Sequence, residues 1–125
     1  MDKQIGAKVW LIPDGYYPAD SSGRFPSHEA ICVLNPGALD AALTITLYFE
    51  DRPKLAGFQA SCPAERTRHI RMDRIKDGDG RGVPVGVPYA MMVESDVEII
   101  VQYSRMDTSQ AEMALMTTMA YPVRE

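Results

Sequence analysis

The apolar residues of this chain fall in short runs with a period of two. Across Ala42–Glu50, Leu43, Ile45, Leu47 and Phe49 share one face and Thr44, Thr46, Tyr48 and Glu50 the other, which predicts a half-buried strand. Val97–Ser104 repeats the pattern, with Val97, Ile99, Val101 and Tyr103 opposite Glu98, Ile100, Gln102 and Ser104. His28–Asn35 differs. Ala30, Cys32 and Leu34 point one way and Ile31 and Val33 the other, so both faces are apolar beyond the first two residues. Such a strand needs cover on both sides, and in an all-β chain of this size a second subunit can supply the outer cover.

Shorter segments complete the set. Strands are predicted over Lys8–Ile12, stopped by Pro13-Asp14-Gly15, over Leu55–Ser61, over Glu65–Met72 and over Tyr89–Glu94, with Ser95-Asp96 as the turn into Val97. Turn chemistry marks Asn35-Pro36-Gly37, Glu50–Pro53 and the Gly/Pro-rich stretch 77–88, which reads as a mobile surface loop. The C-terminal part carries two signals. Ser109 and Glu112 form a capping-box pattern, yet Met113, Leu115, Thr117, Met119 and Tyr121 alternate with Ala114, Met116, Thr118 and Ala120. With so many short strands already in place, we assign a turn of helix near Thr108–Ala111 and a strand over about Met113–Tyr121. The whole is an all-β chain: an antiparallel two-sheet β-sandwich of about eight strands in a single domain, 1–125.

Composition narrows the function. The chain has 125 residues, 46% hydrophobic and 24% charged, with a net charge of −4 and a pI near 5.1. One ordinary globular domain is expected, and the acidic balance argues against a wholly basic nucleic-acid binder while leaving room for a local basic patch. No apolar run approaches the roughly 20 residues of a membrane-spanning helix, and the start MDKQIGAKVW has no secretory core. A cytoplasmic protein is expected, with Cys32 and Cys62 as free thiols.

Catalytic and cofactor motifs are absent from the sequence: no GxSxG, HExxH, P-loop or GxGxxG. We therefore expect no enzyme, no cofactor and no metal. Two polar groups stand out instead. His28 and Glu29 open the doubly apolar strand, and Thr67, His69 and Arg71 share one face of the next polar one. Gln102, Arg105, Asp107 and Gln110 form a second polar group near the end of an apolar strand. We assign His28, Glu29, His69, Arg71, Gln102, Arg105 and Gln110 as a cluster for a small polar ligand, histidine and arginine donating to ligand oxygens and the remainder fixing orientation. Two alternatives stay open. Arg66, Arg68, Arg71 and Arg74 concentrate positive charge, which suits DNA or simply protects an edge strand. His69 with a carboxylate would suit acid–base catalysis.

Several segments together resemble the cyanobacterial sensory-rhodopsin transducer family. They are Trp10 with Gly15-Tyr16-Tyr17-Pro18, SHEAICVLN at 27–35, LTITLYFED at 43–51, AERTRHIR at 64–71 and VQYSRMDTSQAEMALMTTMAYP at 101–122. The loop at 77–88 is longer and more Gly-rich than the family pattern. The resemblance implies a small cytoplasmic jelly-roll-like sandwich that assembles as a homotetramer and partners a membrane photoreceptor or another receptor. Binding of a carbohydrate or similar small ligand, or of DNA, is a further implication of the likeness.

Overall fold

The computed structural model describes residues 5–124. Eight strands form there and no helix: β1 Ala7–Tyr16, β2 His28–Asn35, β3 Ala41–Phe49, β4 Leu55–Cys62, β5 Arg66–Arg71, β6 Pro88–Asp107, β7 Ala114–Met119 and β8 Tyr121–Val123. All pairings are antiparallel. Sheet A runs β4-β3-β6-β1-β8, and sheet B runs β5-β2-β6-β7. The expected all-β two-sheet architecture is therefore observed.

One strand serves both sheets. The 20-residue β6 pairs with β1 and β3 through its first half and with β2 and β7 through its second. The two strands expected over Tyr89–Glu94 and Val97–Ser104 are thus one, and Ser95-Asp96 is not a turn. Between the pairs Val9–Glu94 and Ala7–Ile99, β1 advances two residues while β6 advances five, so the chain bends there from one sheet into the other. Side chains take over the interrupted hydrogen bonding: Asp96 Oδ1 accepts from Ala42 N at 2.8 Å and Ser95 Oγ from Val97 N at 3.2 Å. The Trp10 indole N–H closes the corner on the carbonyls of Ala7 and Ile99, at 3.0 and 3.1 Å.

The core lies between the inner faces. Sheet A contributes Ile12, Leu43, Ile45, Leu47, Phe58, Met91 and Val93, and sheet B contributes Ile31, Val33, Ile70, Ile99, Val101 and Tyr103, all at most 5% exposed. Two other expectations change. Pro13-Asp14-Gly15 is a bulge inside β1 and does not end it. Thr108–Ala111 forms no helical turn but a bend, because Asp107 Oδ1 captures Ser109 N at 2.9 Å and satisfies locally a donor that a helix would leave free. The expected C-terminal strand forms as β7 and β8, broken at Ala120.

The Gly/Pro loop is organised around one carboxylate. Asp77, 7% exposed, accepts from Asp79 N at 2.9 Å, Arg81 N at 2.8 Å and Arg81 Nε at 2.8 Å. Burial pushes its pKa up, but the backbone donors of Arg81 and Asp79 and the Arg81 guanidinium outweigh this and hold it below the ordinary 3.8.

Candidate functional site: the outer face of sheet B

Register determines which side chains meet on sheet B. Cys32 of β2 lies between His69 of β5 and Gln102 of β6, and Gln102 is flanked in turn by Met119 of β7. The neighbouring row is Arg71, Ala30, Ser104 and Thr117. Leu34 pairs with Ile100, and His28 with Met106, which pairs with Leu115. Because strand side chains alternate, all of these share the face away from the core.

That face is largely apolar and largely uncovered. Leu34 is 46% exposed, Met119 56% and Leu115 73%. β7 is the extreme case, with all six residues exposed and pairing to β6 alone. The second cover that the doubly apolar β2 requires is thus missing among the described residues. Two recesses open on this side of the sheet. One, of about 330 Å³, is lined by His28, Ala30, Ser104, Met106, Leu115 and Thr117 among others; the other, of about 220 Å³, by Cys32, Leu34, His69, Gln102 and Met119. In the first, Ser104 and Thr117 hydroxyls lie 3.1 Å apart. His28 Nδ1 donates to the Pro26 carbonyl at 3.0 Å, which leaves Nε2 as an acceptor.

The seven residues assigned from the sequence do not converge. His28, His69, Arg71 and Gln102 project from the outer face of sheet B. Glu29 points the other way, beside Ile31 and Val33, and is 1% exposed. Arg105 pairs in register with Glu29, and its guanidinium lies 6.0 Å from the buried Tyr103 ring and 3.8 Å from Asp14, yet it also lines the recess beside His28. Gln110 is exposed in the bend after β6. The single seven-residue cluster is therefore divided between two faces and a loop. Within the outward group, Arg71 is engaged by Asp73 through bonds of 2.9 and 2.8 Å. That pairing, the largest influence, raises the Arg71 pKa and lowers that of Asp73.

The basic segment is partly self-satisfied. Arg68 Nη1 donates to the Ser61 carbonyl at 2.7 Å and Arg66 Nη1 to the Glu65 carbonyl at 3.0 Å, while Arg74 is exposed beyond β5. His69 is exposed and has no hydrogen-bonded carboxylate among the described residues. The acid–base pair considered for it is not formed.

Sequence reasoning missed the buried network that replaces the expected role of Glu29. Its carboxylate accepts from Tyr16 N at 2.6 Å, from the Tyr89 hydroxyl at 2.6 Å and from the Tyr103 hydroxyl. Burial first, then the Glu29 charge, pushes both phenols well above their ordinary value of 10. The network ties β1, β2 and both halves of β6 across the core, from Tyr89 in sheet A to Tyr103 in sheet B, away from the bend at Ser95-Asp96. A signal was present in the sequence, since Glu29 shares its parity with Ile31 and Val33.

Known proteins place the chain. The family profile described as Anabaena sensory rhodopsin transducer matches residues 5–122. The crystal structure of Thermotoga maritima 1070 is 34% identical, covers 96% of this chain and 97% of its own, and superposes with a TM-score of 0.85. The Anabaena sensory rhodopsin transducer is 36% identical, covering 87% of this chain and 96% of that one, with a TM-score of 0.73. No curated protein matches. No helix among the described residues is long and apolar enough to cross a membrane. With nearly its whole length matched, the chain belongs to the Anabaena sensory rhodopsin transducer family.

Proposed function

We propose that this chain is a non-enzymatic cytoplasmic signalling protein that acts by contact. It assembles with further copies of itself, as a homotetramer, and receives its signal from a membrane photoreceptor or another receptor. The observation that carries this reading, beyond family membership, is the uncovered apolar face of sheet B with its doubly exposed β7. A monomer rarely leaves so continuous an apolar surface in water. Burying Leu34, Leu115 and Met119 against a second copy would supply the cover that β2 and β7 lack. A small polar ligand such as a carbohydrate fits the same reading. The recess beside His28 has the volume of small-ligand sites, an apolar floor and a few hydrogen-bonding groups in His28, Ser104 and Thr117.

The test is sedimentation of the purified chain with membranes containing the sensory rhodopsin of the same genome, or the receptor encoded beside this gene where no rhodopsin exists. Saturable binding that protein-free lipid does not reproduce is expected. Equal partitioning onto lipid alone contradicts the receptor reading.

A further inference from the structure

A recess at the end of sheet A lies apart from the sheet B face. It has a volume of about 350 Å³ and sits between the bulge of β1 and the end of β3, with β6 as its floor. Tyr89 of β6 pairs with Gly15 on one side and Phe49 on the other. The two walls therefore stand two strand spacings apart, about 10 Å, which admits one extended chain. The bulge shapes the β1 wall. Between the pairs Ile12–Met91 and Gly15–Tyr89, β1 uses one residue more than β6, and Pro13 and Asp14 are thrown outward and exposed.

The chemistry of the recess favours a cation. Tyr48, 38% exposed, offers an aromatic surface. Asp14, with a side chain 76% exposed, and Glu50 stand on opposite walls. Glu50 has no ion-pair partner among the described residues. Two arginines lie nearby. Arg105 approaches Asp14 at 3.8 Å. Arg52 is held by Asp51 at 3.0 and 3.3 Å, and its guanidinium lies 5.5 Å from the centre of the Phe49 ring. This last contact already realises, inside the chain, a guanidinium on an aromatic face with a carboxylate beside it. The Tyr89 hydroxyl is committed to Glu29. The recess thus presents two carboxylates and the Tyr48 hydroxyl, with few donors for the oxygens of a neutral sugar.

We propose that this recess docks a basic, extended peptide segment, with an arginine or lysine laid on Tyr48 and its charge between Asp14 and Glu50. The inference rests on the receptor reading for its source. Membrane proteins carry an excess of Lys and Arg on their cytoplasmic segments, and a chain of net charge −4 is drawn to them.

Fluorescence anisotropy tests it, using a fluorescein-labelled Gly/Ser peptide carrying several arginines and the same peptide with glutamates in their place. The arginine peptide binds and the glutamate peptide does not; binding weakens with added salt. Asp14→Asn with Glu50→Gln reduces affinity about tenfold, and Tyr48→Ala reduces it further. Equal binding of both peptides, absence of binding, or unchanged affinity in the double variant overturns the proposal. Receptor-containing membranes form the second arm. A double variant that sediments with them as the parent does removes the recess and leaves the receptor reading intact. A parent that binds the arginine peptide but not those membranes removes the receptor as its source and leaves the recess.

Discussion

Glu29 shows what a single residue decides in this fold. Three donors converge on one buried carboxylate, so its removal orphans two phenols and a backbone N–H at once. Unmade buried hydrogen bonds cost about 1–3 kcal/mol each. Tyr103→Phe, which deletes one donor and leaves the others, is expected to cost about 1–2 kcal/mol in urea unfolding, and Glu29→Ala clearly more. Equal stability of the three proteins would show that the network holds nothing together. The two thiols give a second check at this scale. Cys62 is fully buried and burial raises its pKa, whereas Cys32 is half-exposed on the outer face of sheet B. A thiol reagent should modify one cysteine in a folded, dissociated subunit and the second only on unfolding. In the assembled protein Cys32 should slow as well, because the proposed interface covers it.

At the scale of elements, the strands were legible where period two met a clear turn. β2 runs from His28 to Asn35 as predicted, and β3 and β4 differ from expectation by one residue at some ends. β6 was not legible as one strand, because Ser95-Asp96 carries strong turn chemistry that the fold uses to replace ladder hydrogen bonds. The parity of the sequence did hold the answer. Tyr89, Met91 and Val93 and then Ile99, Val101 and Tyr103 are all buried odd positions, as one uninterrupted strand requires. The capping pattern at Ser109 failed for a local reason, the competing bond to Asp107. The candidate site was half legible. Residue type singled out His28, His69, Arg71 and Gln102, but choosing their common face needed the register of β2 against β5 and β6. The loop elements add a pH dependence. Asp73 and Asp77 have folded pKa values below the ordinary 3.8, so the stability they contribute is complete above that value and is lost as pH falls through their lower folded values. Unfolding by urea at pH 5 and pH 3 should show a fall in stability that Asp73→Asn and Asp77→Asn each reduce. Variants losing as much as the parent would remove these pairs as the cause.

For the whole molecule, the thin sandwich explains why an ordinary hydrophobic content does not imply a monomer. Sheet A and sheet B share one core, and that core is filled from the inner faces alone. Of the exposed large apolar residues, Leu34, Leu115 and Met119 share the outer face of sheet B, where nothing among the described residues covers them. Acidic and aromatic groups collect at the other end, in the recess near Tyr48. Two surfaces are thereby separated: the sheet B face, proposed as the interface between copies of the chain, and the recess near Tyr48, proposed for a basic segment of a partner. Light scattering on the purified chain, with Leu115→Glu beside it, tests the interface between copies most directly. A mass about four times 13.9 kDa is expected for the parent and a smaller, folded species for the variant. A parent that stays at 13.9 kDa across micromolar concentrations, or a variant that assembles as the parent does, would contradict it.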